Sequence, residues 1–175
     1  MKEALRNLLL KMVGCPYIWG GANPWTGLDC SGFAIWCLQV FGVLSSGDWT
    51  AAELAAHLQH VGECRIDEAD VGDLVFYAPD GIHISHVMVA LGRGLCVGAS
   101  GGGPDTETFD DARKLGAAVK VKPIRYRSDL VKILRVSLIL EAIEAEAWEK
   151  RAPLDATAQA HGAPAPVGNA PRVGV

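Results

Sequence analysis

The stretch Gly27-Leu28-Asp29-Cys30-Ser31-Gly32-Phe33-Ala34-Ile35-Trp36-Cys37-Leu38 constrains the chain most. It leaves a loop rich in glycine, proline and asparagine and takes up a helical pattern at the cysteine itself. Phe33, Trp36, Cys37, Val40 and Phe41 recur at the spacing of an apolar helix stripe, which must face a core. Cys30 therefore falls in the first helical turn, with Asp29 or a neighbour as N-cap. A helix N-terminus carries unpaired N–H groups and a partial positive charge, and both favour a thiolate over a thiol. The pattern predicts a Cys30 pKa below the value of about 8.5 for a free cysteine, and so a nucleophile. Such a nucleophile needs a base within hydrogen-bond reach, and the base a partner that orients it.

The chain has 175 residues, one domain's worth, enough to bury roughly two-thirds of its unfolded surface. A net charge of −4 gives no footing for nucleic acid as a partner. No apolar run approaches the roughly 20 residues of a membrane helix. The N-terminal stretch is amphipathic and broken by Lys11, unlike a secretory leader, so synthesis in the cytoplasm is expected. Five cysteines, an odd number without close pairs, argue against a disulfide framework. Their spacing to the histidines fits no zinc site, and no metal or cofactor is expected. Cys37 and Cys96 read as small buried hydrophobes, and only Cys30 has surroundings that suggest reactivity.

Residues 3–13 read as a helix ended by Gly14 and Pro16, with Leu5, Leu8, Leu9 and Met12 on one face. The glycine- and aromatic-rich run from 16 to 27 reads as a structured loop, either capping the core or walling a groove. Thr50-Ala51-Ala52-Glu53 is a capping box opening a short helix over 51–60. His57 and His60 on that helix read as solvated rather than metal-binding. From Asp73 the pattern turns strand-like. Residues 73–77 and 85–91 read as strands, and Gly92-Arg93-Gly94 as the tight turn to a hairpin partner at 95–99. A strand over 118–124 completes an antiparallel meander. Residues 130–136 suit either a last strand or the start of a helix that continues through 147. Helices first and strands after predict an α+β fold, with N-terminal helices packed on a central antiparallel sheet. From Arg151 the composition shifts, with Ala, Pro or Gly at 14 of the last 25 positions, so 151–175 is expected to be a disordered tail behind a domain of residues 1–150.

His86 opens an apolar strand, a placement that aims an imidazole at the end of a helix packed on the sheet. His83, nearer the turn, is the competing base. Four ordered motifs now stand together: Tyr17-Ile18-Trp19-Gly20-Gly21, Asp29-Cys30-Ser31-Gly32-Phe33, Gly72-Asp73-Leu74-Val75-Phe76, and Ser85-His86-Val87 with its Gly-turn hairpin. Over roughly residues 5 to 125 the chain resembles the NlpC family of papain-like cell-wall cysteine peptidases. The resemblance implies Cys30 as nucleophile and His86 as general base, with Tyr17 beside the thiolate and the developing oxyanion. It places Asp29, Ser31 and Ser85 in the substrate groove. The implied substrate is a peptidoglycan stem peptide cut between D-γ-glutamate and a diamino acid, without a metal. A family member lacking a leader fits delivery with a bacteriophage, whose tail proteins would then be partners.

One departure stands out. The family pattern puts a third polar residue, which orients the imidazole, twelve positions after His86, and that position is Gly98. Ser100, His83, Asp80 or a water are the substitutes the sequence offers. Besides the peptidase, the residues admit a tail or wall-binding module of the same fold without turnover, and a cysteine amidase or acyltransferase.

Overall fold

The computed structural model describes residues 1–158. In chain order the elements are helix α1 (Lys2–Lys11), a short ribbon of β1 (Ala22–Asn23) and β2 (Gly27–Leu28), helices α2 (Cys30–Val40) and α3 (Ala51–His57), and strands β3 (Leu74–Tyr77), β4 (His86–Gly92) and β5 (Leu95–Ser100). Helix α4 (Phe109–Leu115), strand β6 (Ala118–Pro123), a single 3-10 turn (Ile124–Tyr126), strand β7 (Leu130–Leu134) and helix α5 (Ser137–Ala158) follow. The expected α+β fold is the one observed. Contacts divide the chain into units 1–144 and 145–175, with α5 crossing the division; the sheet and the site lie in the first. Of the tail expected from Arg151, residues 151–158 fall within α5 and 159–175 lie outside the described residues.

The five-stranded sheet is antiparallel throughout, in the order β6-β5-β4-β3-β7. Residues 118–123 continue the meander as expected, while 130–134 return to the other edge and pair with β3. The ambiguity at 130–136 is settled by two non-local partners. Leu134 lies opposite Leu74, and the buried Asp73 carboxylate accepts the Ser137 N–H at 2.9 Å, which fixes where the next helix begins.

Both faces of the sheet are covered, so β3 and β4 read as continuous apolar runs rather than alternating ones. Leu74, Phe76, Val87, Val89, Val97 and Ala99 join Leu5, Leu9, Phe33, Cys37 and Leu38 in the main core. Val75, Tyr77, Met88, Ala90, Cys96 and Ile133 form a second core on the other face, closed by Ile124. Helix α2 packs on β4 and β5 on one side and on β1 on another. Its buried set, Phe33, Ala34, Ile35, Cys37 and Leu38, therefore runs almost all round the helix. This corrects the single stripe expected from periodicity: Val40 is exposed and Trp36 only partly buried.

Helix α4 was not anticipated. Its signals are present in the chain: Thr108 caps it in a capping box with Asp111, and Gly116 ends it in a left-handed conformation (φ 61°). With Ala112 as its one fully buried side chain, it carries little apolar periodicity.

Candidate active site

Asp29 caps α2. Its Oδ1 accepts the Gly32 N–H at 2.7 Å and the Ser31 hydroxyl at 3.0 Å, and its Oδ2 accepts the Gly20 N–H at 3.2 Å. One carboxylate thus ties the glycine-rich loop to the first turn of the helix. The approach is so close that a Cβ at Gly32 would sit 2.1 Å from the Gly21 carbonyl oxygen, so only glycine fits there. Cys30, the first residue of α2, is 9% exposed.

The backbone N–H groups of Val87, Ser31 and Cys30 itself lie near enough to the Cys30 sulfur to favour its thiolate. Val87 immediately follows His86, so the thiol lies against the start of β4. A cavity of about 480 Å³ is lined by Cys30, His86, Ser85, Tyr17, Trp19 and Ser100, and also by Lys120, Lys122, Tyr126 and Arg127. The Tyr17 ring packs close against Gly102, where a Cβ would come within 2.2 Å of the ring. Asp29 and Ser31 line an adjoining cavity of about 210 Å³ with Asp48, Trp49 and Glu53. Of the six residues singled out in the sequence, four meet in one cavity and two in its neighbour. A larger depression of about 740 Å³, against Cys64 and Arg125, touches neither Cys30 nor His86.

The electrostatics correct one expectation. Burial pushes the Cys30 thiol up to about 11, with the Asp29 carboxylate adding to the rise, and the three N–H donors only partly offset this. The helix terminus favours the thiolate, as anticipated, but desolvation outweighs it. His86 is pushed the other way, down to about 4, by burial first and then by the nearby Arg127 guanidinium, with Asp129 opposing. At neutral pH thiol and imidazole both rest uncharged. Burial first, with the Asp29 carboxylate adding to it, also holds the Tyr17 phenol well above its ordinary value, so Tyr17 is a hydrogen-bond donor.

Among the described residues no side chain bonds His86 in the role missing at Gly98. His86 is 8% exposed, and its Nε2 is buried without a hydrogen-bond partner. A Cβ at Gly98 would lie 3.1 Å from Met88 Cγ, so the Met88 side chain closes that position. His83 pairs with Asp80 on the surface turn and is largely exposed, which removes both from the list of substitutes. Ser100 is buried in the same cavity. The imidazole is braced by the Tyr77 ring opposite it on β3, with centroids 5.7 Å apart and planes at 37°. Tyr77 is itself fixed by donating its hydroxyl to the Ile124 carbonyl at 2.9 Å.

Lys120, Lys122, Tyr126 and Arg127 were not foreseen as cavity residues. The two lysines carried a signal, since they fall two apart and share one face of the strand, with Val119 and Val121 on the other. That this face meets the cavity depends on β6 pairing with β5, where Lys120 lies opposite Gly98.

A family model described as the NlpC/P60 family matches residues 14–113. The chain belongs to the NlpC/P60 family. This NlpC/P60 chain is 41% identical over 96 residues to the bifunctional muramidase/DL-endopeptidase CwlT of Bacillus subtilis, covering 54% of this chain and 26% of that protein. It is 37% identical over 89 residues to the murein DD-endopeptidase MepH of Escherichia coli, covering 50% of this chain and 32% of that one. It spans a third or less of the length of these relatives. Among solved structures, it resembles the NlpC/P60 domain of the peptidoglycan hydrolase SagA, with a TM-score of 0.55 and 30% identity over 77% of this chain and 97% of that domain.

Proposed function

We propose that residues 1–150 form a cysteine endopeptidase domain that hydrolyses peptidoglycan stem peptides at the D-γ-glutamyl to diamino acid amide bond. The observation that carries this reading is the meeting of the Cys30 thiol with the start of β4, beside His86 and Tyr17, in one cavity. The relatives named as endopeptidases of the wall support the substrate class.

The chemistry follows from a resting pair that is neutral. His86 takes the thiol proton as the Cys30 sulfur forms its bond to the amide carbonyl carbon. Because Nε2 is buried, Nδ1 is the nitrogen available for this transfer. The carbonyl oxygen gains negative charge and is met by N–H groups at the start of α2 and by the Tyr17 hydroxyl. Collapse breaks the C–N bond, and His86 returns the proton to the leaving amine. Water, deprotonated by His86, then releases the acyl group and restores the thiol. Deprotonation during attack, rather than a stored thiolate, suits a thiol raised to about 11 beside an imidazole lowered to about 4.

A second reading, a wall-binding module of the same fold without turnover, is favoured by the unpartnered Nε2 and by Met88 closing the position opposite Gly98. Incubation with purified sacculi and muropeptides separates the two. The peptidase yields new amine termini that Cys30→Ala abolishes. Absence of cleavage by the wild type, or equal cleavage by Cys30→Ala, sinks the peptidase reading.

A further inference from the structure

The cavity at Cys30 and the one at its chain neighbours Asp29 and Ser31 have opposite charge. Asp29, Asp48 and Glu53 line the smaller one, and no base does. Lys120, Lys122 and Arg127 line the larger, and no carboxylate does. In a chain of net charge −4 this separation is not a reflection of composition. Lys120 and Lys122 stand at alternate positions of β6, opposite Gly98 and Cys96, so both project from one face of the strand. Among the described residues neither has a carboxylate partner. Lys122 lies over the Tyr126 ring at 5.4 Å. Arg127 is held in place by Asp129, whose single charge offsets that guanidinium alone. Two ammonium groups, both half-buried and on one wall, are left uncompensated. A wall of one sign without a counter-ion attracts an anion of opposite charge. The anions a stem peptide carries are its free carboxylates.

We propose that the Lys120–Lys122–Arg127 wall is an anion subsite that seats a free carboxylate of the stem peptide, so that the chain discriminates carboxylate from carboxamide forms of its substrate. The inference rests on the peptidase reading of the same site and adds its selectivity. Glutamine at 120 and 122 keeps the length and polarity of the wall and removes its charge.

The test uses a synthetic L-Ala-γ-D-Glu-diaminopimelate-D-Ala peptide and versions in which each free carboxyl in turn is a carboxamide. The wild type is expected to lose about tenfold or more in kcat/KM on one of the amides, the scale of a charge-assisted hydrogen bond. In Lys120→Gln/Lys122→Gln the acid form slows and the gap narrows to within about threefold, whereas Lys114→Gln, on exposed α4, keeps the wild-type gap. Wild-type cleavage of every amide at the rate of the acid overturns the subsite and leaves the peptidase reading standing. A double variant that retains the full gap also overturns it. If no form is cleaved, the peptidase reading fails, and calorimetry with Cys30→Ala decides the subsite: tighter binding of the acid supports it and equal binding refutes it.

Discussion

Asp29 both caps α2 and places a negative charge beside the Cys30 thiol, and two substitutions separate these effects. Asparagine keeps an acceptor oxygen for the Gly32 N–H, 2.7 Å away, but has no charge. Because Asn and Asp cap helices about equally well, Asp29→Asn should cost less than about 1 kcal/mol of stability. Alanine removes the cap, the Gly32 N–H bond included, worth about 0.5–2 kcal/mol, and strands the buried Ser31 hydroxyl at about 1–3 kcal/mol. Asp29→Ala is therefore expected to lose about 2–4 kcal/mol in urea unfolding. Both changes remove the second-largest cause of the raised thiol pKa. At pH 7 a thiol near 11 is about one part in ten thousand thiolate, and each pKa unit regained multiplies that fraction about tenfold. Iodoacetamide alkylation across pH, read at Cys30 by peptide mass spectrometry because Cys15 and Cys64 are also partly accessible, measures this directly. Both variants should alkylate faster than wild type at pH 7, with Asp29→Asn within about 1 kcal/mol of wild-type stability. An Asp29→Asn rate at or below wild type would refute the electrostatic argument. So would a wild-type rate that levels off below pH 8.

Two further outcomes follow from His86. Its folded pKa of about 4 lies below the ordinary 6.5, so the unfolded chain takes up a proton first as pH falls. Stability should drop by about 3 kcal/mol between pH 6.5 and 4, and a His86→Gln chain should lack that component; equal acid sensitivity in the two proteins counts against it. The Met88→Ala/Gly98→Asn double variant opens the space Met88 now fills and offers an acceptor to Nε2–H. One new hydrogen bond of about 1 kcal/mol would raise the His86 midpoint by about one unit in an NMR titration. An unmoved midpoint would show that position 98 does not reach the imidazole.

What the sequence made legible was local. The Asp29 cap, the Thr50–Glu53 box and the Gly92–Gly94 turn each rest on residues a few positions apart, and all three are present. The all-round burial of α2 was hidden because it depends on layers that pack from different parts of the chain. Strand β7 and helix α5 could not be told apart before β3 supplied Leu74 and Asp73 as partners. The direction of the Cys30 shift was misjudged for a related reason: the helix end is a local feature, whereas desolvation comes from everything that covers it. The cationic wall was overlooked because Lys120 meets Gly98 only across a strand pair.

The contact between the Cys30 sulfur and the Val87 N–H also bears on how the protein is made. The thiol-bearing helix leaves the ribosome on the order of several seconds before β4, at ordinary rates of translation. During that interval the cysteine has neither its donor nor its base, and it lacks the burial that holds it as a thiol. Closure waits longer still, because β3 gains its outer neighbour only when β7 has emerged. Reactive-site assembly is thus a late event of vectorial synthesis. A truncated or nascent chain would carry an ordinary exposed thiol, open to oxidants and unable to attack an amide.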